Sequence, residues 1–228
     1  SSGVGEKNYV RSTVDDVRDV VGEIKNIRER AITVSQLKFG CRSGELCNML
    51  LPEISIKHDE LREHYTEMGT HPEIEHLENV VFIPSDRKGN KREVDTILPL
   101  DEETRQIVVD WLLIRPDNGK EEVFFSDKGK QLTPGDIRYM WTQYWWPEYE
   151  YDDEEYYDSI TPHWSRHFFS TWWENLGVPE VKLKYMRGDA TKPSNERQSA
   201  LNSYIHTYFE DIEDLYRENI FPLRLNPV

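Results

Sequence analysis

Thr161-Pro162-His163-Trp164-Ser165-Arg166-His167 is the stretch on which the reading of this chain turns. Threonine is a good N-cap and proline suits the first helical position, so a helix is expected to start here. His163 and Arg166, three residues apart, then leave one face of that helix. Unsatisfied backbone N–H groups and the positive end of the helix dipole attract anions to such a turn, and a phosphate is a natural guest. A histidine and an arginine so spaced are also ordinary surface residues, so the stretch does not decide by itself.

Three further stretches bear on it. In Phe39-Gly40-Cys41-Arg42-Ser43-Gly44-Glu45-Leu46, Arg42 occupies a turn between two expected helices with apolar residues on both sides. A partly buried guanidinium there needs an anionic partner, either Glu45 in a plain salt bridge or a ligand from outside. Arg87-Lys88-Gly89-Asn90-Lys91-Arg92 forms a basic tip between two apolar runs, Val80 to Pro84 and Glu93 to Pro99, which read as a β-hairpin. Asn202-Ser203-Tyr204-Ile205-His206 opens the last helical pattern, and Tyr204 is one of twelve tyrosines.

The remaining chain reads as mostly helical. Thr13 and Asp16 form a capping-box start for a first helix, and a second runs from Ile27 to Phe39, stopped by Gly40. A short helix from Ser43 to Leu51 follows, and then Pro52 to Glu78, polar enough to be expected as a solvated insertion. It holds His58, His64, His71 and His76, no two of which have the four-residue spacing of a metal pair. Further helices are expected from Asp101 to Ile114, after the Thr133-Pro134-Gly135-Asp136 cap, after Thr161, from Val178 to Arg187 and from Ser203 to Arg217, with a short strand at Val123 to Phe125. Glu148 to Asp158, with seven carboxylates and four tyrosines, and Thr191 to Arg197 read as loops. The fold class is mainly α with a small antiparallel β-sheet.

Composition narrows the function. The 228 residues carry 43 Asp and Glu against 28 Lys and Arg, a formal charge of −15, which excludes a polybasic tail and suits a host with salt-rich cytoplasm. With 37% hydrophobic and 12% aromatic residues the chain can bury a real core. No run approaches a membrane helix, and Ser1 to Glu6 reads as a vector-derived remnant and not a targeting segment, so a soluble cytoplasmic protein is expected. Residues 1–12 are taken as linker and 13–228 as one domain. Cys41 and Cys47, the only cysteines, make neither a disulfide framework nor a zinc site and are expected to be buried.

Taken in order, the boxes resemble those of the tyrosine recombinases, the phage-type integrases and Xer-like enzymes. Arg42 with its neighbours resembles T-G-L-R-x-x-E-L, and Arg87 to Arg92, leading into Ile97-Leu98-Pro99-Leu100, resembles the G-K-G-N-K-x-R…V-P-L hairpin. Thr161 to His167 is similar to S-P-H-x-L-R-H, and Tyr204-Ile205-His206 to Y-T-H. The resemblance spans about Arg28 to Tyr216 and implies the catalytic-domain fold of that family. It implies Tyr204 as nucleophile forming a 3′-phosphotyrosine link, Arg42 and Arg166 clamping the phosphate, His163 as base or phosphate ligand, and Lys88 as general acid. Such chemistry asks for no metal or nucleotide cofactor. The implied partner is double-stranded DNA with inverted half-sites, bound by a homo-tetramer that is monomeric when free, with Arg87, Lys91, Arg92, Arg138, Lys182 and Lys184 as DNA contacts. The apolar residues Ile212, Leu215, Ile220 and Phe221 are expected to dock on a neighbouring protomer.

Two features depart from the family pattern. Met186-Arg187-Gly188-Asp189 stands where Leu-Gly-His is usual, so Asp189 replaces a phosphate-supporting histidine. An ionised carboxylate cannot donate to phosphate, so Asp189 is expected to orient an arginine or base, with Arg187 as the substitute donor. The family's N-terminal clamp domain is also missing from these residues. Two alternatives stay open: a DNA-binding module of the same fold that has lost the reaction, and a type IB topoisomerase-like strand transferase.

Overall fold

The computed structural model describes residues 9–145, 160–189 and 201–228, the residues 201–204 by backbone alone. Helix α1 (Val14–Gly22) starts with a reciprocal cap, Thr13 Oγ1 accepting from the Asp16 N–H at 3.1 Å while Asp16 Oδ2 accepts from the Thr13 N–H at 2.8 Å. It packs on α2 (Ile27–Phe39), which is the axis of the fold and is buried without break from Arg30 to Phe39. A charge on so enclosed a helix must be paired, and that of Lys38 is: its Nζ lies 2.7 Å from Asp101 and 3.1 Å from Glu103. The left-handed Gly40 ends α2, and a side chain there would collide with the ring of Phe169.

Helix α3 (Ser43–Cys47) follows, then a 3₁₀ turn, Leu51–Glu53. The sheet has three antiparallel strands in the order β1 (Ile54–Ser55), β2 (Val80–Ile83) and β3 (Thr96–Pro99), with Ile54 opposite Val81 and Val81 opposite Leu98. Helix α4 (Asp59–His64) lies between β1 and β2 in the chain, α5 (Glu102–Ile114) and α7 (Pro162–Asn175) clasp α2, and α6 (Pro134–Trp145) stacks Trp141 on Trp145 inside the core, rings 4.1 Å apart. Helices α8 (Glu180–Arg187) and α9 (Leu201–Asn219) both cover β3. The architecture is the mainly helical one with a small antiparallel sheet. Both cysteines are buried.

Several expectations need correction. Pro52 to Glu78 is not a solvated insertion: it supplies β1 and α4 and buries Ile54, Ile56, Leu61, Tyr65, Met68 and Ile74. Its apolar residues are too scattered to show a period, because each enters the core from a different short element. Val123 to Phe125 is not a strand; only isolated bridges, Leu50 with Glu122 and Phe125 with Gln131, flank it. The expected docking residues Ile212, Ile220 and Phe221 are buried in this chain's own core, with Leu215 half-buried beside them. Tyr9 and Val10, from the expected linker, pack on α7, where Tyr9 stacks on His167 and Val10 O accepts from Trp164 Nε1. The expected loops at Glu148 to Asp158 and Thr191 to Arg197 lie outside the described residues.

Candidate active site

The site is built where the starts of α3 and α7 meet the ends of α2 and α8. Arg42 is the N-cap of α3: its backbone N–H donates to Glu45 Oε2 at 2.9 Å and its Nη1 lies 3.4 Å from Glu45 Oε1. Glu45 reaches on to Arg92 Nη2 at 3.2 Å, and neither of those two side chains is exposed at all. Arg92 Nη1 donates to Thr96 Oγ1 at 2.6 Å, and Thr96 donates in turn to the Tyr185 carbonyl. Arg92 was expected on DNA and is instead an interior residue. The cap of α8 closes over it, Gly188 lying against its side chain while the Gly188 carbonyl accepts from the Glu93 N–H at 2.8 Å.

Arg166 stands one turn into α7 and is only 3% exposed. Its Nη1 donates to the Gly40 carbonyl at 2.8 Å, which fixes the plane of the guanidinium. Its Nη2 has no hydrogen-bond partner among the described residues; the nearest carboxylate oxygen, Asp189 Oδ1, is 3.8 Å away. Burial first, and Arg42 next, bring its pKa down to about 10, so it remains charged at neutral pH. Burial also works to raise the Glu45 carboxyl, but Arg92, the Arg42 N–H, Arg166 and Arg42 together hold it below the usual carboxylate range. Burial, with Glu45 beside it, pushes the Cys41 thiol up to about 12, leaving it inert. Asp189 lies between two arginines, its Oδ1 3.8 Å from Arg166 Nη2 and its Oδ2 3.3 Å from Arg187 Nε.

His163 is exposed on the first turn of α7 and lines a cleft of about 250 Å³ with Ser43, Gly135, Arg138 and Thr161. Thr161 caps α7 through its extended backbone, with no side-chain hydrogen bond to the first turn. Lys88 is exposed on the connection between β2 and β3, and that connection is tied to α3: Asn48 Nδ2 donates to the Lys88 carbonyl at 3.1 Å and to Asn90 Oδ1 at 2.9 Å. Arg87, expected on DNA, is committed elsewhere. Its Nη1 donates to the Asn48 carbonyl at 2.7 Å and to Glu53 Oε2 at 2.8 Å, and its Nη2 lies against Glu53 Oε1. Lys91 and Arg138 are exposed, Lys182 is half-exposed, and Lys184 lies 2.8 Å from Glu180 on the outer face of α8.

Tyr204 lies in the first turn of α9, and its side chain is outside the described atoms. The backbone around it is nonetheless fixed. The buried hydroxyl of Tyr185 donates to the Ile205 carbonyl at 3.1 Å and accepts from the Ile97 N–H at 3.0 Å, tying α8, β3 and α9 together one residue beyond Tyr204. His206 Nε2 lies 2.9 Å from Glu73 Oε2, a second tie on the same helix. Asn48, Glu53 and Tyr185 gave no sign in the sequence, since an asparagine after a short helix and one of twelve tyrosines carry no pattern.

A mainly helical domain with a small antiparallel sheet defines a class, and solved structures share that fold. The chain is similar to XerA recombinase (18% identity, TM-score 0.58, covering 93% of this chain and 66% of that one). It is similar to the Tn1549 transposon integrase in complex with a circular intermediate DNA (16%, 0.59, 91% and 63%) and to a lambda integrase tetramer bound to a Holliday junction (16%, 0.55, 86% and 51%). The fold is therefore that of a tyrosine recombinase catalytic domain, and the chain spans two-thirds or less of each of these structures. The phage integrase family model matches residues 11–211, and the chain belongs to that family. No curated protein is similar to it in sequence.

Proposed function

We propose that the protein is a site-specific DNA strand transferase that cuts and rejoins DNA through Tyr204. In this reading the phenolic oxygen of Tyr204 attacks the scissile phosphorus, a 3′-phosphotyrosine bond forms, and the bond to the 5′-oxygen breaks. Because the phosphodiester is exchanged and not hydrolysed, it can be restored by the reverse step. Arg42 and Arg166 neutralise the charge that builds on the non-bridging oxygens. His163, on the first turn of α7, takes up the proton that the Tyr204 phenol loses as it attacks, and Lys88 gives a proton to the departing 5′-oxygen. Asp189 holds Arg166 and Arg187 in place.

The observation that carries this reading is Arg166: charged, nearly inaccessible, rigidly held by the Gly40 carbonyl, and with one N–H edge lacking a hydrogen-bond partner among the described residues beside Arg42. A buried charged donor without an acceptor is costly unless an anion completes it. The exposed Arg138 and His163 along one cleft extend that anion site outward, as a DNA backbone requires. Inverted half-sites and a tetramer on DNA belong to the same reading; the lambda integrase relative is a tetramer on a Holliday junction.

The test incubates protein and a Tyr204→Phe control with negatively supercoiled plasmid from low to molar KCl and stops the reaction with SDS. A covalent protein–DNA adduct made by the parent and absent from the control is the expected result. Folded protein that binds DNA yet forms no adduct at any salt concentration would leave a DNA-binding module without strand transfer.

A further inference from the structure

We infer that Asn48, together with the Arg87–Glu53 ion pair, is a positioning latch that holds the Lys88 turn on α3, so that the groups proposed to bind the phosphate and to protonate the leaving oxygen travel as one rigid unit. This deepens the strand-transferase reading and rests on it for the role of Lys88.

The residues from 84 to 95 join β2 to β3, a connection long enough to sample many conformations if nothing held it. The part that carries Lys88 is held at three levels. At its base, Asp95 Oδ1 accepts from both the Ser85 N–H and its hydroxyl, at 2.6 and 2.7 Å. Within it, the Asn90 N–H donates to the Arg87 carbonyl at 3.0 Å and Asn90 Nδ2 donates to the Pro84 carbonyl at 2.8 Å. Beyond Lys88, the buried Arg92 pairs with Glu45 of α3 and the Glu93 N–H donates to the Gly188 carbonyl, which anchors the far side of the connection, but none of these ties reaches the backbone at Lys88 itself. The third does: both donors of the Asn48 amide are spent on the turn, and the Arg87 guanidinium reaches back to the Asn48 carbonyl and the buried Glu53 carboxylate. Asn48 is the C-cap of α3 and Arg42 is its N-cap, so a single short helix carries the latch at one end and a proposed phosphate clamp at the other.

Two further observations fit a built contact. A Cβ on Gly44 would stand 2.7 Å from the Gly89 carbonyl oxygen, so the backbone of the turn rests directly on α3 with no room for a larger residue. Burial holds the Glu53 carboxyl above its usual range despite Arg87, so this carboxylate is kept in the interior at some cost to stability. The latch grips the backbone and leaves the Lys88 side chain exposed, which is what a proton donor to a bound strand requires.

The chemistry supplies a readout that a general loss of structure would not move. When the Tyr204 oxygen–phosphorus bond forms and the bond to the 5′-oxygen breaks, a proton passes from the Lys88 ammonium to that oxygen. Sulfur in its place leaves as a thiolate and needs no proton. The probe is a duplex copied from the plasmid position where the parent protein forms its adduct, made once with oxygen and once with sulfur at the 5′-bridging position, at saturating protein. Lys88→Ala is the reference. Asn48→Ala and the volume-preserving Glu53→Gln should slow adduct formation on the oxygen duplex by about 10-fold to 100-fold, as a displaced catalytic group does, with DNA affinity unchanged and the rate restored on the sulfur duplex. Equal slowing on both duplexes, or no slowing on either, would overturn the latch. If Lys88→Ala itself is not restored by sulfur, or the parent forms no adduct, the strand-transferase reading of Lys88 falls, and the latch with it.

Discussion

Glu45 is the residue on which the interior of the site depends, because it is the shared counter-ion of Arg42 and the wholly buried Arg92. Glu45→Gln keeps the shape and removes the charge, leaving Arg92 unpaired. Breaking a buried pair in this way typically costs about 3–5 kcal/mol, so a large drop in the denaturation free energy is expected at pH 7. The folded-state pKa lies below the unfolded one, so the unfolded chain binds more protons in the acid range; the stabilisation is present above the usual carboxylate range and is lost as pH falls through the folded value. Urea titrations of parent and variant should therefore converge in acid, and a constant gap at every pH would contradict the ion pair. The motif around Arg42 and the motif around Arg166 were legible as residues, since both combine an arginine with a helix start. Arg92 was not, because an arginine in a basic turn looks exposed until α8 is seen to close over it.

Among the elements, the span of α2 and its stop at the left-handed Gly40 are written plainly in the chain, and the structure adds Asn26 accepting from the Glu29 N–H at its start. The join between α8, β3 and α9 is not, for the Tyr185 hydroxyl that ties all three carries no pattern in the sequence. Tyr185→Phe keeps the ring that stacks on Tyr208 but leaves the Ile97 N–H without its partner in the interior. A loss of about 1–3 kcal/mol by urea denaturation is expected. Because Ile205 is released at the same time, the plasmid adduct should form more slowly in folded Tyr185→Phe protein; an unchanged rate would mean that the first turn of α9 is positioned by other contacts. Strand β1 escaped notice for a related reason. It has two residues, too few for any alternation to show, and its existence depends on pairing with β2.

At the scale of the molecule, a chain of net charge −15 needs its exposed cations well placed if it is to hold a polyanion as proposed. Arg138 and Lys91 are exposed near the site, whereas Arg92 is consumed internally. In binding isotherms measured across a series of KCl concentrations, Arg138→Ala and Lys91→Ala should each lower the slope of log affinity against log salt by about 1, while Arg92→Met should leave the slope unchanged and lower stability instead. An unaltered slope for Arg138→Ala would remove the cleft beside His163 from the DNA path. Among the described residues no helix is long and apolar enough to cross a membrane. The amino-acid sequence by itself determined the helical class, the cap that starts α1, the glycine that stops α2, the threonine and proline that start α7, and the four boxes that place arginine, lysine, histidine and tyrosine in family order, because each of these is a local pattern read within a few residues. Only the tertiary structure decided which basic side chains are exposed and which are buried in ion pairs, that α9 and the residues after it bury their apolar face at home, and that Asn48 binds the Lys88 turn. Those outcomes depend on residues far apart in the chain coming within hydrogen-bonding distance, and no local pattern encodes such a meeting.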